Sequence, residues 1–575
     1  MTKTGLRAIA YGVAAVGFVS IVTRPNEMRA RQDTDYLPVT DERLRDPEPG
    51  SWLMYRRTYN GWGYSPLDQI TEQNVSDLTP VWVFPTGVFT EDHQSPPIVN
   101  GDTMFVTTST HVIALNAKSG ELRWRYAREL PSKIRTPHPT NRGVGLYADM
   151  VYVGTLDAHV VALNATSGQV VWDRTVEDYR AGYYITMAPM VVDGKVMVGT
   201  SGGENGVRGF VIALDAMTGD EVWKTYTIPA PGEPGNETWP AEAWRTGGGP
   251  VWVTGTHDPE LNLVYWGVGN GGPLMGDARP GDNLFTNSTI ALDLDTGALR
   301  GHHQYHWNGS WDWDEVTPPL LIDIERGGRT IPSLVHVGRN GYLWWLEQEP
   351  DRISFIDASP YVYQNVFTSI DSQTGRPTYD AAHVPGTGTR VTFCPSVAGA
   401  KNWQPEAYNP KTGLLYIPAT ENLCSVMEGT QVVYTPGEPF AGANIDVFRV
   451  EGADHLTELQ AWNVETGDMV WKRELEPRNG GSVLTTGGDL VFLGGQSDRF
   501  RAYSARSGDV LWEIRTNSGR AGVPTSYAVD GVQYIAVQTG AEPAPRERDG
   551  VPESQGAFGF PQDGVIWVFA LDCQC

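Results

Sequence analysis

The sequence predicts an all-β fold, an eight-bladed β-propeller with tryptophan-docking repeats. Three observations lead there: an eleven-residue phrase recurs, apolar and polar residues alternate as in strands with almost no sustained helical period, and the two ends carry complementary halves of the phrase.

The phrase is clearest as "ALNAKSGELRW" from Ala114, "ALNATSGQVVW" from Ala162 and "ALDAMTGDEVW" from Ala213. It returns as "AWNVETGDMVW" from Ala461 and "AYSARSGDVLW" from Ala502. In all five, glycine stands six residues after the first alanine and tryptophan ten after it. Weaker copies begin at Ala291, Ala407 and Ser369. Each copy reads as an apolar strand entering a polar turn, where glycine supplies positive φ. A second strand then leaves with tryptophan on its buried side.

Irregular spacing between copies fits insertions at blade edges better than a strict solenoid. The stretch "GVIWVFALD" is the opening half of the phrase with no turn after it, and "LTPVWVF", residues 78 to 84, is a tryptophan strand with no opening half. Joining them would complete one blade from both ends and close a ring, which protects strand edges. Counting copies with this composite blade favours eight blades over seven, and a closed ring over an open β-sandwich array. The segments 276–288 and 427–456, polar and rich in glycine and proline, read as long irregular loops of the kind that build sites on a propeller face.

Composition narrows the function. A formal net charge of -25 argues against binding a phosphate backbone, so no nucleic-acid partner is expected. Lys3 and Arg7 precede the apolar run "AIAYGVAAVGFVSIV", which is short for a membrane span of roughly 20 residues. Residues 1–30 therefore read as a signal peptide or an N-terminal anchor of an exported chain, and residues 31–575 as a single propeller domain. Four cysteines, Cys394, Cys424, Cys573 and Cys575, suit an export compartment where disulfides persist. The "CQC" pair is as consistent with free thiols or exchange as with a strained bridge. No CxxCH motif marks an attached haem.

The stretch "NGSWDWDEV", residues 308 to 316, carries the sharpest chemistry. In an extended segment Asp312 and Asp314 share one face, with Trp311 and Trp313 on the other. Two adjacent carboxylates raise each other's pKa unless a cation sits between them, and a hard cation with several oxygen ligands removes the penalty. Two acids facing solvent on a strand edge are the plainer alternative. Glu204 in "SGGENG" and Asn270 in "GVGNGG" are flanked by glycines that allow close approach, though turn chemistry accounts for them equally.

Taken in order, "YSPLDQI", the tryptophan turns, "GTSGGENGVRG", "GGGPVW", "GVGNGGP", "WDWD" and "GRNGYL" resemble the quinoprotein alcohol dehydrogenases from about residue 50 onward. That resemblance implies an eight-bladed periplasmic propeller using pyrroloquinoline quinone (PQQ) and a metal ion. Glu204, Asn270 and Asp312 match the family's metal ligands, with Asp312 the general base that takes the alcohol proton. Asp314 stands where calcium-using members carry a small uncharged residue and lanthanide-using members an aspartate. A trivalent ion gains more from the extra carboxylate, so a lanthanide is expected rather than Ca2+. Trp252 matches the floor under the quinone, and Arg142 and Arg339 match its arginine partners. Their plainer readings are a core tryptophan and surface ion pairs. Gln94, Thr186, Ser201, Gly202, Gly203, Asn402 and Trp403 match further quinone contacts, and Cys394 with Cys424 a structural disulfide.

Two departures stand out. Thr136 and Pro137 occupy the place of a vicinal cysteine pair, and Asn479 replaces a tryptophan near the quinone. Both lean toward an alcohol larger or more polar than methanol, secondary alcohols included. The expected partners are the alcohol, a soluble cytochrome c or similar electron acceptor, and a second copy in a homodimer. Two other readings are a quinoprotein acting on sugar or polymer alcohols, and a non-enzymatic scaffold. A scaffold has no reason to keep Glu204, Asn270, Asp312 and Arg339 together.

Overall fold

The computed structural model describes Met1 and residues 36–88, 93–475, 481–494, 498–516, 521–540 and 563–572. Residues 2–30 of the N-terminal segment, Asn479, Cys573 and Cys575 lie outside the described residues, and so do the readings placed on them. No helix among the described residues is long and apolar enough to cross a membrane.

Among the described residues, seven sheets have four antiparallel strands and one has four with a fifth added. Sheet 1 runs Ile98–Asn100, Thr103–Thr107, His111–Asn116, Leu122–Ala127. Sheet 2 spans Gly145–Tyr147 to Val170–Thr175, sheet 3 Met190–Val192 to Glu221–Tyr226, and sheet 4 Thr256–Asp258 to Leu299–Gln304. Sheet 5 spans Leu320–Arg326 to Arg352–Pro360. Sheet 6 consists of Ala407–Asn409, Leu414–Thr420, Thr457–Asn463 and Asp468–Leu475. Sheet 7 spans Val483–Thr486 to Val510–Arg515 and takes Tyr64–Ser65 as a parallel edge. Sheet 8 joins distant parts of the chain: Leu78–Pro85 pairs antiparallel with Val565–Leu571, which pairs with Val532–Thr539 and then Thr525–Val529.

The repeated phrase builds the turn from third to fourth strand. In the first copy, Asn116 Oδ1 accepts the N–H groups of Lys118 and Ser119, and Gly120 adopts φ 73°. The same side-chain turn recurs at Asn164, Asp215 and Asn463. The glycine has a second reason to be there: the tryptophan of the preceding sheet lies against it. A Cβ added to Gly120 would stand 2.6 Å from the Trp82 ring, and one on Gly168 2.5 Å from the Trp124 ring.

Those indoles also bond forward. Nε1 of Trp82 donates to Ala117 O at 3.2 Å, Trp124 to Ala165 O at 2.8 Å, and Trp172 to Ala216 O at 3.0 Å. Trp223 reaches Leu294 O at 2.9 Å, Trp471 reaches Ala505 O at 3.2 Å, and Trp512 reaches Leu78 O at 2.9 Å. Each bond runs from the outer strand of one sheet to the next sheet in order, the last from sheet 7 to sheet 8. A buried N–H without such a partner would cost roughly 1–3 kcal/mol.

The weaker copies differ. The Ala291 copy occupies the usual turn in sheet 4 but carries Gly301 in the tryptophan position. The backbone of Arg352 there approaches to 2.8 Å of where a Cβ would stand. The Ala407 copy turns from first to second strand of sheet 6, and the Ser369 copy lies in a separate two-stranded sheet, Phe367–Ile370 with Pro377–Tyr379. Between sheets 5 and 6 the neighbouring indole comes instead from the third strand, Trp345 to Val464 O at 2.8 Å.

Apolar clusters fill the spaces between consecutive sheets: Val99, Met104 and Ile113 with Tyr527 and Val568; Leu343 and Trp345 with Leu415 and Ile417; Tyr416 and Leu459 with Val491 and Tyr503. The two segments expected to be irregular are only partly so. Gly276–Ala278 is a 3-10 turn, and Leu423–Gly429 and Ala443–Arg449 form a hairpin with Arg390–Phe393 at its side. The glycines and prolines lie in the connection between its strands, at Pro436, Gly437, Pro439 and Gly442, while Ala443 to Val447 alternates apolar and polar as a strand does. Cys394 and Cys424 are joined by a disulfide that staples the hairpin.

Candidate active site

Strand direction collects the candidate residues at one end of the sheets. In an antiparallel sheet the start of the first strand and the end of the second lie at the same edge. Gln94, Arg142, Thr186, Trp252, Asp312, Asp314, Asn402 and Trp403 precede first strands, while Ser201 to Glu204, Asn270 and Arg339 follow second strands. Residues scattered over more than 300 positions thus share one face.

Glu204, Asn270, Asp312 and Asp314 line a single cleft, whose walls include Gly203, Pro250, Leu274 and Phe440. Asn270 organises the acids. Its Nδ2 donates to Asp312 Oδ1 at 2.9 Å and its backbone N–H to Asp314 Oδ1 at 2.6 Å. Trp252 Nε1 donates to Asp314 Oδ2 at 2.9 Å, and Arg339 Nη1 lies 3.7 Å from that oxygen. Gly269 makes this packing feasible, since a Cβ there would sit 2.4 Å from Asp314 Oδ1.

The backbone differs from the expected strand. Residues 311–314 are irregular, and Asp312 has φ 63°, a left-handed conformation that costs a non-glycine residue of order 1–3 kcal/mol. Asp312 and Asp314 nonetheless meet the same neighbour. Trp311 and Trp313 are fully buried behind them, stacked at 5.2 Å, with their Nε1 groups donating to His383 O and Ser396 O at 2.8 Å each. The indole anchors hold the strained turn.

The electrostatics follow from crowding. Burial pushes Asp312 up to about 7, Arg339 opposes that, and Asp314 and Glu204 add to it. Burial also raises Asp314 against the pull of Arg339. Partial burial also pushes Glu204 up, its side chain being 41% exposed, but the hydrogen bond and charge of His138 bring it below its ordinary value. His138 Nε2 lies 3.4 Å from Glu204 Oε1, and that carboxylate raises the imidazole in turn.

Beside the cleft lies a cation–aromatic stack. The Arg142 guanidinium stands 4.7 Å from the Trp252 ring centroid and 5.4 Å from that of Trp403. Its Nη1 donates to Thr186 Oγ1 at 2.8 Å, and that hydroxyl meets Ser201 Oγ at 2.9 Å. Gly202 and Gly203 continue from Ser201 toward Glu204 along one turn, with Gly203 on the cleft wall. Asn402 Oδ1 accepts the Trp403 N–H at 2.8 Å, and neighbouring Lys401 forms a buried pair with Glu406 at 2.9 Å. Gln94 is buried and its Oε1 has no donor among the described residues.

Comparison with known proteins places this arrangement. Residues 52–350 and 450–535 match the family described as "Glucose/ethanol/alcohol dehydrogenase, beta-propeller domain". The quinoprotein alcohol dehydrogenase PedH of Pseudomonas putida is 35% identical over 571 residues, covering 93% of each chain. The chain belongs to the PQQ-dependent quinoprotein alcohol dehydrogenase family. A lanthanide-dependent methanol dehydrogenase of Methylacidiphilum fumariolicum is 36% identical, covering 87% of this chain and 86% of its own. Among solved structures, a europium-containing methanol dehydrogenase superposes with a TM-score of 0.86 at 32% identity, over 92% of this chain and 100% of that one.

This quinoprotein is therefore an alcohol-oxidising enzyme whose family works with PQQ and a metal ion, and its residues fit both groups. Asn270 Oδ1 is buried with no donor among the described residues and lies beside three carboxylates, an all-oxygen set that suits a hard cation. Indole faces, arginines and hydroxyls suit a flat polyacid. Three residues of this quinoprotein's site have no counterpart in the sequence reading. His138 lies within the "IRTPHPTNRG" stretch that lacks the cysteine pair, but no spacing singles it out. Phe440 comes from the segment 427–456, and its N–H donates to Glu204 O at 2.6 Å. Glu315 is buried, and its Oε2 accepts the Arg339 N–H at 3.0 Å.

Proposed function

We propose that the protein oxidises the hydroxyl of an alcohol larger than methanol, secondary alcohols included, to an aldehyde or ketone. Asp312 acts as general base, a lanthanide is the preferred metal, and electrons leave to an external acceptor such as a soluble cytochrome c in the periplasm. When bound, the quinone supplies the two-electron acceptor and the cation the Lewis acidity. The observation that carries the reading is the cleft itself. Three carboxylates and one carboxamide oxygen converge there with a single guanidinium beside them. That excess of negative charge favours a trivalent over a divalent ion.

Asp312 is suited to hold the hydroxyl proton because its affinity for protons is already raised by burial. Arg339 and the Asn270 amide steady the ionised form. Trp252 and Asp314 share a hydrogen bond, so the quinone floor and the metal cleft are mechanically one unit. Thr136 and Pro137 in place of a disulfide cap support a wider substrate. The scaffold we infer is one domain, residues 31–575, an eight-bladed propeller with indoles docking consecutive blades. Eight sheets of four or more strands among the described residues and the forward indole bonds support it.

The test is reconstitution of the apo-protein with PQQ and either calcium or lanthanum, following dye reduction across primary, secondary and polyol alcohols. Full activity with calcium and none with lanthanum would overturn the metal assignment. Absence of activity in every combination would overturn the function.

A further inference from the structure

Glu315, the third acid of the "WDWDE" run, touches neither the cleft nor the aromatic stack, yet it is 1% exposed and fully engaged. Its Oε2 accepts the backbone N–H of Arg339 at 3.0 Å and meets His336 Nε2 at 2.8 Å. Its Oε1 accepts the N–H of Asn340 at 3.2 Å. His306 Nδ1 stands 3.6 Å away, and His336 is stacked on Tyr305 at 4.1 Å. The backbone of Glu315 bridges antiparallel to Val268, two residues before Asn270.

One residue thus joins three parts of the site: the aspartate turn through the chain, the Asn270 loop through backbone pairing, and the "GRNG" turn through its carboxylate. A buried carboxylate is tolerated only when hydrogen-bonded, and charge-assisted bonds to peptide N–H groups are the stronger kind. With its oxygens committed to donors, Glu315 has no role as a metal ligand. Arg339 leaves that turn with Nη1 near Asp314 and Nη2 donating to Val397 O at 2.9 Å. Glycines flank the turn on both sides; its other backbone bonds, Gly338 N–H to Tyr342 O and Ala400 N–H to Arg339 O at 2.9 Å each among them, leave the N–H groups of Arg339 and Asn340 to the Glu315 carboxylate.

We propose that Glu315 is a positioning residue that sets Arg339 at the quinone pocket, and so governs quinone binding rather than metal binding. This rests on the reading of Arg339 as a quinone contact. Glu315→Gln keeps the shape but turns an NH2 group toward an N–H donor. The full-length apo-protein is titrated with PQQ by tryptophan fluorescence and, separately, with terbium by sensitised luminescence, with melting temperature as a control. In the variant the PQQ Kd rises about tenfold or more while the terbium Kd stays within about twofold of wild type. If Glu315→Gln does not fold, Glu315→Asp, which keeps the charge and shortens the reach, carries the same comparison. Unchanged PQQ binding, or PQQ and terbium affinities falling together, overturns the inference. An Arg339→Ala variant that binds PQQ like wild type overturns the parent reading first, and this inference with it.

Discussion

Asn270 holds Asp312 with its side chain and Asp314 with its backbone, at 2.9 Å and 2.6 Å. A single residue between two sheets therefore sets the spacing of both acids. Its side-chain oxygen is buried with no donor among the described residues. The consequences are measurable.

Asp312→Asn removes the group that takes the proton and leaves its volume unchanged. The turnover rate falls about 100- to 10,000-fold while PQQ binding, read by fluorescence quenching, persists. A variant retaining near wild-type turnover would show that another group is the base.

Asp314→Ser deletes one carboxylate and the acceptor of the Trp252 indole. Terbium affinity drops about tenfold or more, and calcium affinity by less, because each added ligand charge matters more to a trivalent ion. Equal losses for both ions would sink the charge argument.

The metal-free site carries a pH signature. Asp312 has its proton affinity raised from 3.8 to about 7, so between those values the folded chain keeps a proton that the unfolded chain has released. That stability is full below the unfolded value and is lost as pH rises through the folded one. Relative to Asp312→Asn, the melting temperature of the metal-free wild type should fall as pH rises from about 4 to about 7. Saturating lanthanum should abolish the trend. A difference that stays flat without metal refutes the assignment.

Trp172 tests the docking of one sheet on the next. Trp172→Phe loses the bond to Ala216 O and costs about 1 kcal/mol, and Trp172→Ala costs about 3–5 kcal/mol. Gly219→Ala is also destabilising, since its φ is 72° and the Trp172 ring lies 2.8 Å from the new Cβ. Urea unfolding midpoints measure all three, and a neutral Gly219→Ala would remove the case for the contact.

Much of this was legible in sequence because it is periodic or local. The repeat phrase announces its own turn, since the polar residue, the glycine and the tryptophan act within one hairpin and its neighbour. Asp312 and Asp314 were legible as a pair, but the strand assumed for them was not correct. Alternation predicts sidedness without distinguishing a strand from an irregular turn pinned by two indoles. His138, Phe440 and Glu315 left no signal, because their partners Glu204, Arg339 and Asn340 are distant in the chain or bonded through backbone atoms.

The sequence by itself determined the all-β class, the turn chemistry, and which residue types are available for a cation and a flat polyacid. Those follow from side-chain periodicity and short-range sterics. Only the tertiary structure decided that the loops before first strands and after second strands share one edge. It alone places Asn270 between the two acids and Glu315 beneath Arg339. Such contacts depend on how separate sheets pack, and no local pattern encodes that packing.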